Sequence, residues 1–240
     1  MQRVRIGELD VTLAGGTDRQ GGGDGPMLVL LHGYGAPGED LVPIARQLAV
    51  PSQVRFAFPA APLSVEPNLP PEMSGRAWWQ LDMVELQRAV MLGDYAALTT
   101  RVPAGLSEAR SAVTDLLAAL ESEHRVAPEK LILGGFSQGA MLATDLALRA
   151  ERPPAGLGIL SGSLICRHEW LPLMKARAGM KVVQSHGRAD PILAYQLAEE
   201  LRDELIQAGV NVEFVPFAGG HGIPNGALDA LTALVRSVTA

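Results

Sequence analysis

The chain has 240 residues, of which 48% are hydrophobic and 19% charged, a balance that fits one large folded domain and excludes wholesale disorder. Its 20 Lys and Arg against 26 Asp and Glu leave a formal charge of −6, which excludes the basic surface that nonspecific nucleic-acid or anionic-membrane binding needs. Cys166 is the only cysteine, so an intrachain disulfide is impossible and Cys-based zinc or iron–sulfur sites lack ligands.

Residues 1–8 include arginines with no apolar stretch of about 7–15 residues behind them, so no secretory signal is read. No run of about 18 apolar residues follows anywhere, which predicts no membrane span. A cytoplasmic protein without stable membrane insertion is the expectation. Residues 3–13 alternate apolar and polar around Gly7, the pattern of an edge strand or hairpin. Residues 15–25 are glycine-rich and predict a flexible loop. Met27–Leu31 is a continuous apolar run of strand length, and similar runs return at Val54–Phe58, Leu131–Leu133, Leu157–Leu160, Lys181–Gln184 and Val210–Phe217. Such runs predict strands buried on both faces of a parallel sheet.

Helical patterns fill the intervals. Over Asp40–Ala49, Leu41, Ile44, Ala45 and Leu48 share one face. Over Ser107–His124, Ala109, Val113, Leu116, Leu117 and Leu120 recur at helical spacing, with Ser107 as the expected N-cap. Ala140–Ala150, Leu193–Ala208 and Ala227–Val238 behave likewise. Strands alternating with helices predict an α/β fold, a mostly parallel central sheet with helices on both faces. No composition break divides the chain, so residues 1–240 read as a single domain. Residues 59–106 interrupt the rhythm with Pro59-Ala60-Ala61-Pro62, the proline-rich stretch 67–71, Arg76-Ala77-Trp78-Trp79-Gln80, a short helix over Met83–Leu92 and a turn at Gly93-Asp94. An irregular stretch this long inside a compact domain reads as a pocket-lining or lid insertion, the alternative being a surface decoration.

The sharpest chemical signal is Gly135-Phe136-Ser137-Gln138-Gly139, a G-x-S-x-G that directly follows a strand and opens a helix. A turn this tight forces its middle residue into a strained conformation and lifts the serine Oγ clear of the sheet. A serine hydroxyl needs a base to take its proton during attack. Of the five histidines, His221 in Gly219-Gly220-His221-Gly222 follows the last strand, where a glycine-rich loop can reach over the sheet's C-terminal edge. Asp190, in Ser185-His186-Gly187-Arg188-Ala189-Asp190, can accept the Nδ1–H of His221 and hold its tautomer. The order Ser137, Asp190, His221 is the chain order of α/β-hydrolases. His32 and His186 read as loop braces, His124 as a helix end, and His168 as part of a solvated Arg167-His168-Glu169 segment. Asp203 and Asp229 read as exposed helix positions, and Cys166 as an inert buried thiol. The oxyanion formed on attack needs preorganised donors, for which Leu31-His32-Gly33-Tyr34-Gly35 offers the N–H of Tyr34 and the helix start offers that of Gln138.

Together with Leu160-Ser161-Gly162, these motifs resemble the phospholipase/carboxylesterase family, which includes acyl-protein thioesterases and small bacterial carboxylesterases. The likeness covers residues 27–62 and 107–238. It implies an α/β-hydrolase fold and serine-esterase activity with no metal or organic cofactor. It also implies Ser137, Asp190 and His221 as the triad and the backbone of Tyr34 and Gln138 as the oxyanion hole. The thioesterases usually have leucine where Tyr34 stands, and residues 80–106 are longer than their connection. Trp78 and Trp79, with Ile192 and Ile223 two residues beyond the acid and base, are the expected pocket wall.

The expected function is a serine carboxylesterase acting on short- to medium-chain esters through an acyl-enzyme. The expected partner is a small-molecule ester, with no nucleic acid, and a homodimer is left open. Alternatives are acyl-protein thioesterase or lysophospholipase activity, a serine peptidase, or, from another class, a noncatalytic binding protein on a hydrolase fold.

Overall fold

A computed structural model describes every residue except 67, 70–72 and 240. Strands β1 (Gln2–Ile6) and β2 (Leu9–Gly15) form the antiparallel hairpin that the alternation around Gly7 predicts. The glycine-rich stretch that follows is tied rather than loose. Asp18 Oδ1 accepts from the N–H groups of Gln20 and Gly22 at 2.7 and 2.9 Å, and Gly16 donates to Val54 O at 2.8 Å.

Strand β3 (Met27–Leu31) is followed by the short helix α1 (Ile44–Gln47) and strand β4 (Arg55–Ala60). The helix expected over Asp40–Ala49 therefore shrinks to its middle. Pro43 has no N–H to donate and disfavours helical backbone in the residue before it, so the helix starts only after it. Leu41, Ile44 and Leu48 still bury the same face.

Residues 59–106 hold strands β5 (Leu63–Ser64) and β6 (Arg76–Ala77), which pair with each other, then helices α2 (Met83–Leu92) and α3 (Tyr95–Thr100). Gly93 closes α2, and the Asp94 carboxylate caps α3 by accepting from Ala97 N at 3.3 Å. The expected turn is thus a helix–helix corner. Of the proline-rich stretch, Pro67, Pro70 and Pro71 lie outside the described residues.

Helix α4 (Leu106–His124) is capped by Gly105 and not by Ser107. Leu106 is already wholly buried in the first turn, which moves the cap upstream, and the Ser107 hydroxyl turns to Glu108 Oε2 at 2.7 Å. Strand β7 (Leu131–Phe136), helix α5 (Gln138–Arg149), strand β8 (Gly156–Leu160), helix α6 (Arg167–Met174), strand β9 (Lys181–Gly187), helix α7 (Tyr195–Gln207), strand β10 (Asn211–Phe217) and helix α8 (Asn225–Thr239) complete the alternation. The charged Arg167-His168-Glu169 segment opens helix α6 with His168 exposed, as expected; Arg167 pairs with Glu200 and Glu204, Glu169 with Arg149, and the next residue, Trp170, is fully buried.

One eight-stranded sheet runs β1-β2-β4-β3-β7-β8-β9-β10. Only the β1–β2 and β2–β4 pairs are antiparallel; the other five are parallel. Side chains alternate between sheet faces along a strand, and β3 divides accordingly. Met27, Val29 and Leu31 join the apolar cluster under α4 to α7, whereas Leu28 and Leu30 join the one under α1 and α8. Strand β10 departs from the two-face burial expected of it, because it is the sheet's edge and has a neighbour on one side only. A buried charge also sits inside the first cluster. Asp145 of α5 accepts from Arg110 Nε at 2.5 Å, Arg149 Nε at 3.0 Å and Trp170 Nε1 at 2.8 Å, which satisfies a carboxylate that burial alone would penalise. Among the described residues no helix is long and apolar enough to cross a membrane.

Candidate active site

Ser137 stands between β7 and α5 with φ 54° and ψ −119°, outside the ordinary regions for a residue with a side chain. Such strain persists only where the surroundings over-determine it. Here Ser137 N donates to Leu160 O at 2.9 Å while the N–H groups of Ala140 and Met141 converge on Ser137 O. Gly139 lets this turn seat against the end of β3, because a Cβ there would lie 2.1 Å from Leu31 O.

The loops after β9 and β10 meet beside the serine. Gly187 permits the approach, since a Cβ would fall 2.1 Å from Gly220 O. Arg188 N donates to Phe217 O and Ala189 N to Gly219 O, both at 2.9 Å. These contacts bring Asp190 to His221: His221 Nδ1 lies 2.7 Å from Asp190 Oδ2. Asp190 Oδ1 accepts from the N–H groups of Ile192 and Leu193, each at 2.9 Å. Burial pushes the Asp190 carboxyl up, but donors from His186, His221, Leu193 and Ile192 outweigh it and hold it well below the usual carboxylate range.

A carboxylate that stays ionised can only accept, so the His221 proton sits on Nδ1 and leaves Nε2 free to take one. Phe136 lies against the imidazole with ring centroids 4.8 Å apart. The base loop is held from below by Ser161, whose hydroxyl donates to Gly222 O at 2.9 Å. Leu160-Ser161-Gly162 carries that role in the sequence, although nothing in the sequence says what Ser161 touches.

His186 braces its loop, as its position predicts, and does more. Its Nε2 lies 2.9 Å from Leu193 O and 3.2 Å from Asp190 Oδ2. Both neighbours are acceptors, so Nε2 carries the proton, and Nδ1 is buried without a partner among the described residues. His32 likewise serves its loop, accepting from Ala61 N through Nε2 at 2.9 Å. The Cys166 thiol is pushed up to about 12, first by burial and then by Asp145 and Glu169, which leaves it chemically inert.

Ser137, His221, Tyr34 and Gln138 line one cavity of about 650 Å³. Among the described residues the backbone N–H groups of Tyr34 and Gln138 have no acceptor, and the latter opens α5, where the helix dipole favours negative charge. The remaining wall is largely apolar. Leu86, Ala89, Ala97 and Leu98 come from α2 and α3, Met141 from α5, and Leu164, Ile165 and Leu197 from the far side.

The four expected wall residues separate. Trp79 and Ile192 line the cavity. Trp78 does not: neighbours on extended backbone face opposite ways, and its indole is buried in the core with Nε1 donating to His32 O at 2.9 Å. Ile223 is corrected as well, because it packs against the apolar cluster under α8 and not along the cavity. The Tyr34 hydroxyl donates to Gln80 Oε1 at 3.3 Å at the rim. Among the described residues no group of three or more His, Cys, Asp or Glu side chains is placed to hold a metal ion.

The family model described as phospholipase/carboxylesterase matches residues 22–238. Acyl-protein thioesterase 1 of Mycosarcoma maydis is 30% identical over 203 residues, covering 78% of this chain and 80% of its own. The protein of the same name from Neurospora crassa is 27% identical over 213 residues, covering 85% and 83%. Among solved structures, esterase PE8 superposes with a TM-score of 0.76 at 25% identity, covering 96% of this chain and 99% of its own.

Proposed function

The chain belongs to the phospholipase/carboxylesterase family, and on that basis we propose that it is a serine carboxylesterase for short- to medium-chain esters. The observation that carries this reading is the 2.7 Å contact of His221 Nδ1 with Asp190 Oδ2 beside Ser137 in one apolar cavity. In the proposed cycle His221 Nε2 takes the Ser137 proton as Oγ attacks the ester carbonyl. The oxyanion is received by the N–H groups of Tyr34 and Gln138. His221 then protonates the leaving alcohol, and water releases the acid by the same steps. Among the described residues the Ser137 hydroxyl has no acceptor, so its contact with His221 closes as substrate binds, the usual behaviour of such bonds. Residues 1–240 act as one domain in this reading, with 59–106 supplying the outer pocket wall.

Esters of p-nitrophenol from acetate upward test the acyl range. A buried methylene contributes about 0.8 kcal/mol, roughly fourfold in kcat/KM, until the cavity is filled. With Trp78 out of the wall, the optimum is expected near the medium end, about C8. A profile still climbing at palmitate would instead favour thioester or long-chain hydrolysis. That second reading is supported by the relatives called acyl-protein thioesterase and by the cavity's apolar wall.

The pH profile follows from the same geometry. Asp190 remains ionised far into the acid range, so the acid limb belongs to an imidazole that must be neutral to accept a proton. The base must be unprotonated to work, so kcat/KM is expected to rise with pH on the acid side. A flat profile from pH 5 to 8 would contradict His221 as the base.

A further inference from the structure

Gln138 enters the chemistry above through its backbone N–H alone, yet its side chain is wholly buried and engages one distant backbone segment twice. Its Oε1 accepts from Trp78 N at 2.9 Å, and its Nε2 donates to Trp79 O at 2.8 Å. The amide orientation is unambiguous, since reversing it would set donor on donor and acceptor on acceptor. The same short segment is fastened on its other side to the loop that carries Tyr34. Trp78 Nε1 donates to His32 O at 2.9 Å, Gly35 N to Arg76 O at 2.8 Å, and Arg76 N to Ala36 O at 2.8 Å. Residues 76–79 are therefore bonded both to the residue that supplies one oxyanion N–H and to the loop that supplies the other.

We propose that the Gln138 side chain, the Trp78 indole and residues 76–79 form a frame that fixes the spacing between the Tyr34 and Gln138 N–H donors. This rests on the serine-esterase reading and adds positioning residues to it. The physical need is plain. An oxyanion donor works only at about 2.7–3.1 Å from the charge that develops, and the Tyr34 N–H lies in an irregular loop between two glycines. Helix α5 holds the Gln138 N–H in place, and Gly139 seats it against Leu31 and His32 at the end of β3, but no contact of α5 itself fixes how far beyond them Tyr34 sits. A bridge from α5 through 76–79 to the Tyr34 loop does. It also accounts for Trp78, which is buried outside the substrate cavity and still contacts the loop beside the reacting carbonyl.

The test uses Gln138→Met, which keeps the backbone N–H and removes both side-chain bonds, and Trp78→Phe, which removes the indole donor, trims the buried ring and leaves both Gln138 bonds in place. For each, kcat and KM on p-nitrophenyl octanoate are measured per active site, with sites counted by fluorophosphonate labelling. The affinity for an octyl trifluoromethyl ketone, whose adduct places an oxyanion in the same hole, is measured beside them. Expected are losses of about 10–100-fold in kcat per titrated site, KM within about twofold, and a matching weakening of the ketone. The double variant should lose less than the product of the two, because both act on one bridge.

Trp78→Phe keeps the test alive if Gln138→Met folds poorly. Wild-type kcat per titrated site, with only the number of labelled sites reduced, would overturn the frame and leave a purely structural role. So would a rise in KM alone, or an unchanged ketone affinity. In either case, a wild-type enzyme labelled at Ser137 leaves the nucleophile reading standing. Labelling of the wild type elsewhere than Ser137 overturns both.

Discussion

Ser137→Ala is expected to lower kcat by about 10⁴–10⁶ while the protein folds as before. In the proposed cycle the size follows from removing the atom that would form the acyl-enzyme: the proposed base and oxyanion donors remain, so only the modest catalysis they would give to direct water attack survives. The intact fold follows from the site. Among the described residues the Ser137 hydroxyl has no hydrogen-bond partner, so its loss strands no buried polar group. Alanine meets the φ of 54° on the same terms as serine, as both carry one Cβ. Thermal unfolding should therefore shift by no more than about 1 kcal/mol in stability, a scale usual for substitutions that leave no cavity or unpaired group. Steady-state kinetics, unfolding curves and mass-spectrometric mapping of a fluorophosphonate adduct check it together. Near-wild-type turnover in a folded variant removes Ser137 from the mechanism.

Much of the fold is legible in the sequence because local signals and tertiary demands agree. Met27–Leu31 has the length and unbroken apolarity of a strand with two covered faces, and Gly135 to Gly139 fits the turn from a strand into a helix. Where the sequence misleads, tertiary context decides. Pro43 truncates a helix whose apolar spacing continues past it, and Leu106 claims the first turn that Ser107 could have capped. The site divides similarly. Ser137, Asp190 and His221 can be picked out because each sits at the C-terminal end of a strand, where loops in such sheets gather.

Trp78 and Trp79 cannot be told apart, since alternation says they face opposite ways but not which face is the cavity. The Gln138 clamp, the second histidine on Asp190 and the Ser161 contact are invisible for another reason. Each joins residues from separate elements, and no local pattern records which carbonyl a buried side chain will meet. The cavity's breadth has the same origin. Its outer wall is the corner between α2 and α3, and Gly93-Asp94 marks that corner only as a turn.

Asp190→Asn is expected to cost about 10⁴ in kcat, the scale set by acid-to-amide exchanges in serine triads. The geometry explains why so conservative a change should be so damaging. Oδ1 is fixed by the N–H groups of Ile192 and Leu193, so the amide oxygen must stay there and the NH₂ group must replace Oδ2. That NH₂ then faces two imidazole nitrogens. Toward His221 Nδ1 it can only donate, which drives the imidazole proton to Nε2, the atom that must take the Ser137 proton. Toward His186 it opposes an Nε2–H that already donates to Leu193 O. Turning the amide over restores His221 but strands two backbone donors, at about 1–3 kcal/mol for a buried unsatisfied group.

Stability should respond to pH accordingly. The native Asp190 carboxyl is held below its unfolded value of about 3.9. Its contribution is thus present above that value and lost as pH falls through the native one. Denaturant melts at pH 7 and pH 3.5 should therefore show less acid loss in Asp190→Asn than in the wild type. A variant within tenfold of wild-type kcat, counted per titrated site, would show that His221 keeps its tautomer without Asp190.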